Sequence, residues 1–244
     1  MIKGIYTSAS AMIPRIKKQE LTANNLANAS TPGYKRDTLF TKELSRAEKK
    51  VVATKSDWEQ PMVDEVYTNF APGVFDRTGN QLDLAIDGDG FFRLQLPDGS
   101  TGLTRAGTFS VNSEGQIEFP GGALLVGEGG PIEVGSGGDI QIGQDGTVQV
   151  DGNIVGTIVP VSVPDVSQLE KVGSSVFAVP NGVDVQPVTK ARIQQGFLEA
   201  SNVDIVREMI DMIISFRNYE ADSKSVQVQD QTLDNLFNRV APRS

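Results

Sequence analysis

The stretch LDLAIDGDGFFRLQLPDGSTGLTRAGTFSVNSEGQI, residues 82–117, alternates short apolar runs with Asp-Gly pairs. An Asp-Gly pair supplies the positive φ angles of tight hairpin turns. Two more such pairs follow at residues 145–146 and 151–152, between further β-branched runs. Strands of about five residues with frequent turns are typical of a small sandwich or irregular barrel. The sequence therefore predicts a central all-β domain of short strands.

Glycine and charge separate this region from the two ends of the chain. Every one of the 25 glycines except Gly4, Gly33 and Gly196 lies between residues 73 and 182. Residues 1–50 carry ten Lys/Arg and four Asp/Glu, whereas residues 71–187 carry four and fifteen. A basic, glycine-poor segment therefore precedes an acidic, glycine-rich one, and we expect two physically different parts in one chain.

Both ends of the chain have helical periodicity. Apolar and small residues recur there at alternating steps of three and four, a heptad-like spacing typical of helices that pack along other helices. The predicted fold class is α+β, with N- and C-terminal helices that pair as a coiled-coil-like assembly domain. An amphipathic helix lying on its own β domain is the alternative. The repeating positions are Ile2, Ile5, Ala9, Met12, Ile16, Gln19, Ala23 and Leu26, then Ile205, Met209, Met212, Phe216, Tyr219, Ser223, Val226, Asp230, Leu233, Phe237 and Val240.

The ends of these helices and the domain boundaries follow from local signals. Ser201 or Asn202 is expected to cap the second helix, and Pro14 predicts a kink or a late start of the first. We expect an N-terminal assembly helix and turn over 1–36, and an extended connector over 37–72 with a short helical piece near 40–50. The β domain then spans 73–187 and the C-terminal assembly helix 188–244.

Composition excludes several classes of function. The 244 residues include no cysteine and no histidine, and the formal net charge is −9. We therefore expect no catalytic residues, no metal site, no cofactor, no small-molecule substrate and no nucleic-acid partner. The pair Asp87-Gly88 and Asp89-Gly90 fails as a calcium loop, because Phe91 and Phe92 then occupy positions that need an oxygen ligand and a glycine. No apolar run is long enough for a transmembrane helix, and no cleavable signal peptide is expected.

The stretch NNLANASTPGYKR, residues 24–36, places three asparagines just before Pro32-Gly33 ends the helical pattern. Asparagine weakens an isolated helix, because its amide competes for the backbone's hydrogen bonds. We expect Asn24, Asn25 and Asn28 to form hydrogen bonds between subunits, with small alanines allowing close approach. A frayed helix end is the competing interpretation.

Three long motifs, in order, carry a resemblance to a known family. They resemble stretches of the rod, hook and hook-associated axial proteins of the bacterial flagellum. The motifs are SASAM…LTANNLANASTPGYKR, the stretch quoted first, and QQGFLEASNVDIVREMIDMIISFRNYEADSKSVQVQDQTLDNLF. The chain has room for one β domain, which indicates the rod members. LLVGEGGPIEV and LTANNLANASTPGY are more similar to the proximal-rod type than to the distal-rod type.

The resemblance implies a structural subunit of the flagellar basal-body rod, and no enzyme. Such subunits polymerise with helical symmetry through their terminal helices to form the drive shaft, which crosses the periplasm. The implied partners are the chain itself, other rod and hook subunits, and the flagellar type III export apparatus. A secreted β-rich binding or adhesin-like module with paired terminal helices is the alternative function. The expected assembly residues are Ile5, Ala9, Met12, Ile16, Asn24, Asn25, Leu26, Asn28, Ile205, Met209, Met212, Phe216, Tyr219, Val226, Leu233 and Phe237.

Overall fold

The structure, a computed structural model, describes residues 2–42, 62–135, 137–180, 182–188 and 190–240. For residues 2–11, 40–42, 62–65 and 236–240 it describes the backbone alone. The chain divides into two compact units. Unit 1 comprises residues 1–27, 37–69 and 204–244, and unit 2 comprises residues 28–36 and 70–203.

Unit 1 contains both long helices, α1 (Ile2–Ala27) and α2 (Ile205–Val240). α1 continues through Pro14, so the late start that this proline suggested does not occur. Asp204 caps α2, because its side-chain carboxylate accepts a hydrogen bond from the Arg207 amide at 3.1 Å. The cap predicted at Ser201 or Asn202 is therefore wrong.

The segment between α1 and the β region is a hairpin where the structure describes it. β1 (Asp37–Lys42) pairs antiparallel with β2 (Met62–Thr68), and the register shifts between Phe40 and Thr41. The sequence predicts a short helical piece near residues 40–50. Residues 40–42 are instead part of β1, and residues 43–50 lie outside the described ranges. The rest of the described hairpin is extended, with a strand pairing that the sequence did not predict.

Unit 2 is built from short antiparallel strands, as predicted. Their bounds are β3 (Phe75–Arg77), β4 (Leu84–Asp87), β5 (Phe92–Gln95), β6 (Thr101–Thr104), β7 (Ser110–Val111), β8 (Ile117–Phe119), β9 (Ala123–Gly127), β10 (Gly130–Pro131), β11 (Ile140–Ile142), β12 (Thr147–Val150), β13 (Asn153–Thr157), β14 (Val161–Ser162), β15 (Glu170–Lys171), β16 (Val176–Ala178), β17 (Gln186–Pro187), β18 (Arg192–Gln195) and β19 (Phe197–Glu199). A short 3₁₀ turn covers Val166–Gln168.

The largest sheet of unit 2 has the strand order β15-β16-β6-β5-β9-β8-β7, with β10 added beside β9. β11, β12 and β13 form a second sheet, and three strand pairs, β14-β17, β18-β4 and β19-β3, complete the unit. The main core contains alternate residues of these strands, such as Leu84, Ile86, Phe92 and Leu94. This is the period-two pattern of a strand with one buried face.

The predicted turns form at the Asp-Gly pairs. Gly88, Gly90, Gly99, Gly146 and Gly152 all have positive φ angles, between 82° and 120°. At the β12–β13 turn Asp151 also has a positive φ, 49°, which is the two-residue geometry that matches the twist of a hairpin. Local sequence alone thus places these turns.

Unit 2 extends beyond the predicted β domain at both ends. Residues 188–203, assigned from the sequence to the C-terminal helix segment, include β18 and β19, and α2 begins only at Ile205. Residues 28–36, assigned to the N-terminal helix segment, also belong to unit 2. Tyr34 and Lys35 are fully buried there.

Candidate assembly surface

The two terminal helices lie side by side in unit 1. Arg15 of α1 forms an ion pair with Asp222 and donates a hydrogen bond to the Asn218 carbonyl oxygen, and Lys18 Nζ lies 3.7 Å from Asp211 Oδ1. Contact positions on α2 move toward its N-terminus as those on α1 move toward its C-terminus. The helices therefore run antiparallel and pair as the sequence predicted, while coiled-coil geometry stays a prediction.

At the C-terminal end of α1, Asn25 is almost completely buried. Its side-chain nitrogen donates to the Asp37 carbonyl oxygen at 2.8 Å and to Glu208 Oε2 at 3.3 Å. Its side-chain oxygen accepts from the Asp37 amide at 3.0 Å. Asn25 thereby joins α1, β1 and α2 within one chain, and Glu208 lies beside the electropositive N-terminal turn of α2.

The α2 face toward α1 carries polar side chains at its most buried positions. Glu208 and Ser215 are buried, and Asp222 is partly buried in its ion pair with Arg15. Helical spacing places Met212, Tyr219, Val226 and Leu233 on this same face, and all four are partly buried. About half of the predicted seam therefore lies toward the chain's own first helix.

Three further predicted seam residues of α2 are half exposed. Ile205, Met209 and Phe216 keep 43%, 49% and 49% of their surface accessible. Four further apolar side chains of the same segment are also exposed, namely Val206, Ile210, Ile213 and Ile214. We call these seven residues the α2 apolar surface. A soluble monomer rarely exposes so many neighbouring apolar side chains, so this surface indicates an assembly contact.

On α1, Ile16 is 42% exposed and Asn24 is exposed, while Met12 and Leu26 are partly buried. Asn28 lies in unit 2, where its side-chain oxygen accepts from the Thr31 hydroxyl at 3.3 Å. The backbones of Ile5, Ala9 and Phe237 lie in α1 and α2, and their side chains are outside the described set. The predicted residues therefore divide between buried positions within the chain and exposed positions.

Sequence reasoning missed the buried polar residues. Nothing in the sequence indicated a buried Glu208, since a carboxylate on a helix is usually solvated. Its burial can be inferred only when the folded structure places Asn25, 183 residues earlier in the chain, beside it. No sequence periodicity signals a hydrogen bond over such a distance.

Two further observations concern membranes and metals. Among the described helices, none combines the length and apolarity that a bilayer-spanning segment needs. Within the same described residues, no group of three or more acidic side chains is placed to hold a metal ion.

An antiparallel pair of terminal helices with an exposed apolar surface, in a chain that also has a β unit, is typical of the subunits of larger assemblies. Three family models match the chain in order. They are described as "Flagella basal body rod protein" over residues 5–35, "Flagellar hook protein FlgE/F/G D1 domain" over 85–150 and "Flagellar basal body rod FlgEFG protein C-terminal" over 194–239.

Curated relatives match over nearly the whole chain. The flagellar basal-body rod protein FlgF of Caulobacter vibrioides is 34% identical, over 92% of this chain and 92% of its own length. FlgF of Escherichia coli is 34% identical, over 94% and 95%. FlgG of Buchnera aphidicola subsp. Schizaphis graminum is 30% identical, over 97% and 99%. The chain belongs to the flagellar basal-body rod protein family.

Family membership confirms the resemblance found in the sequence. It also identifies a structural protein rather than an enzyme. Of the two functions that the sequence left open, the comparisons support the rod protein and not the adhesin-like module. The relatives bear two names, FlgF and FlgG, at similar identities, so the choice between proximal and distal types stays a prediction.

Proposed function

We propose that this chain is a subunit of the flagellar drive shaft that polymerises with helical symmetry through its terminal helices. The observation that carries the proposal is the α2 apolar surface. Its side chains are half exposed in the single chain, and burying the remainder of each against a neighbour contributes about 1 kcal/mol. Heterologous, non-closing contacts of this kind generate an open helical array rather than a closed ring.

Nine of the sixteen predicted assembly residues take two roles in this proposal. Met212, Tyr219, Val226 and Leu233 hold α2 against α1 within the subunit. Ile205, Met209 and Phe216 of α2, with Ile16 and Asn24 of α1, meet neighbouring subunits. Ile5, Ala9 and Phe237 keep their predicted assembly role on the helical spacing alone.

The partners and the location follow from the family. The chain assembles with copies of itself and with other rod and hook subunits, in the rod that crosses the periplasm. It reaches that position through the flagellar type III export apparatus, without a cleaved signal peptide. The proximal-rod type is the position that we propose, on the two motifs noted in the sequence.

Substituting Phe216→Asp tests the role of the α2 apolar surface. Since Phe216 is 49% exposed, the charge can remain hydrated in the isolated subunit, and we expect its unfolding free energy to change by no more than about 1 kcal/mol. In the assembled shaft the same carboxylate loses its water, which costs several kcal/mol per subunit. We expect a folded protein that is absent from purified basal bodies, in cells that do not swim.

Ile154→Asp is the matched control. Ile154 is 69% exposed on β13 of unit 2 and belongs to neither terminal helix, so this change adds the same charge at an exposed apolar position. We expect the control to retain rod incorporation and swimming. Normal swimming and incorporation of the Phe216→Asp variant would overturn the proposal.

A further inference from the structure

The chain enters and leaves unit 2 through three segments. These are residues 28–36, the segment that begins at Phe70 and the segment that ends at Val203. Within unit 2 the three segments converge on a buried group of charged side chains, Lys35, Glu199 and Arg105. Neither the sequence patterns nor the assembly surface accounts for this group.

The Glu199 carboxylate lies at the centre of the group. Its Oε1 atom accepts from Lys35 Nζ at 2.5 Å and from the Gly73 amide at 3.0 Å. Its Oε2 atom lies 3.4 Å from Arg105 Nη1. Lys35 Nζ also donates to the Ala71 carbonyl oxygen at 2.8 Å. One carboxylate and one ammonium group thus connect the first, second and third segments directly.

Arg105 is supported from the β core. Its guanidinium donates to the carbonyl oxygens of Ile86 at 3.2 Å and Gly88 at 2.9 Å, next to the turn that follows β4. Burial lowers the pKa of both Lys35 and Arg105, and the Glu199 carboxylate opposes that shift in each. The Glu199 carboxylate therefore offsets part of the cost of burying both cations.

Hydrogen bonds of the main chain and of the Asn202 side chain also join these three segments. The Gly33 amide donates to the Glu199 carbonyl oxygen at 2.7 Å, and the Asn202 amide donates to the Tyr34 carbonyl oxygen at 3.4 Å. The Asn202 side chain accepts from the Arg36 amide at 2.8 Å and donates to the Ala71 carbonyl oxygen at 2.9 Å. Each segment is therefore bonded to both of the others.

We propose that Lys35, Glu199 and Arg105 form a three-way clamp, which fastens residues 33–36, 71–73 and 199–202 together so that they release as one unit. If residues 33–36 leave, the Glu199 carboxylate loses its closest cation while it is still buried. The carboxylate then keeps the more distant Arg105, at 3.4 Å, and a poorly paired buried charge is costly, so its other partners also open to let water in. The clamp makes partial release unfavourable, and a force applied to one segment is shared by all three.

Hydrogen exchange of the full chain tests this clamp. In the wild-type protein the amides of Gly33, Arg36, Gly73 and Asn202 should exchange through one common opening, with the same dependence on denaturant. Lys35→Met keeps the apolar stem and removes the charge. We expect it to accelerate exchange in all three segments together, by about tenfold or more. Amides of β5, in the core of unit 2, should keep a separate opening, with a larger dependence on denaturant than the three segments have.

Lys190→Met is the control, because Lys190 is an exposed lysine of the same unit. It should leave exchange in the three segments unchanged. Glu199→Gln, which preserves the shape of the side chain, is the second variant. It removes the carboxylate that pairs with both buried cations, and we expect it to accelerate the same three segments.

Three results would overturn the proposal. Acceleration in a single segment would show that the segments open independently. A single opening throughout unit 2, with β5 showing the same dependence on denaturant as the three segments, would show that the charges serve general stability alone. Unchanged exchange in both variants would show that the charges fasten nothing. If Lys35→Met fails to fold, the common opening in the wild-type chain and the Glu199→Gln variant still decide between these outcomes.

Discussion

Asn24 and Asn25 are adjacent asparagines with opposite environments, and comparing their alanine variants tests the structure of the helix pair. Asn25→Ala removes two hydrogen bonds to the Asp37 backbone and one to the Glu208 carboxylate. A neutral bond lost with its partner still buried costs on the order of 1 kcal/mol, and one to a charged group about 1.5–3 kcal/mol. Alanine returns about 0.5 kcal/mol through its higher helix propensity.

We therefore expect Asn25→Ala to lower the unfolding free energy of unit 1 by about 3 kcal/mol. Asn24 is exposed, so any hydrogen bond of its side chain competes with water, and Asn24→Ala should change this free energy by less than about 1 kcal/mol. Urea unfolding of the full-length monomer, followed by the circular dichroism of the helices, measures both variants under one set of conditions.

Asn25→Asp sharpens the comparison. Aspartate matches asparagine in shape and can still accept from the Asp37 amide, but it cannot donate and it places a second carboxylate beside Glu208. We expect it to destabilise unit 1 at neutral pH at least as strongly as alanine does. Equal stabilities for the Asn24→Ala and Asn25→Ala variants, or a wild-type stability for Asn25→Asp, would refute this account of the α1–α2 junction.

Two further predictions concern unit 2. A Cβ atom at Gly33, where φ is +67°, would lie 2.2 Å from the Ala106 nitrogen, whereas one at Gly79, where φ is +77°, would meet open space. In thermal melts Gly79→Ala should cost about 1 kcal/mol and Gly33→Ala on the order of 3 kcal/mol or more, and equal costs would contradict the close approach. The Ser100 hydroxyl, then its amide, hold the pKa of the Asp98 carboxyl below its usual range. The Asp98 pKa is lower in the folded chain than in the unfolded chain. These hydrogen bonds therefore stabilise the folded chain at pH values above the ordinary carboxyl pKa, and this stabilisation is lost as the pH falls through the lowered pKa of the folded chain. Ser100→Ala should raise the Asp98 pKa in an NMR titration, and an unchanged pKa would contradict the assignment.

The sequence by itself determined the features that depend on neighbouring residues. Asp-Gly pairs adopt positive φ at little steric cost, so the hairpin turns at Gly99, Gly146 and Gly152 were predictable. The three-and-four spacing of apolar residues likewise predicted both terminal helices, since helical periodicity is local. The α+β class and the order of its parts follow from these two signals.

Only the tertiary structure decided which residues of these elements meet. The seam of α2 predicted one apolar contact face, but the structure turns Met212 and Tyr219 inward and leaves Met209 and Phe216 half exposed. Residues 188–203 lack a strong alternating pattern of their own. They become strand because β18 and β19 complete pairs with β4 and β3, more than one hundred residues earlier in the chain.

The buried charges show most clearly why the sequence is insufficient. Lys35 and Glu199 are 164 residues apart, and each reads in the sequence as an ordinary surface charge. A charge is buried only where an opposite charge and enough hydrogen-bond partners are brought to it, and those partners come from three separate segments. Local sequence fixes backbone geometry through short-range sterics and hydrogen bonds, whereas the partners of Asn25 and Lys35 are chosen by the folded chain as a whole.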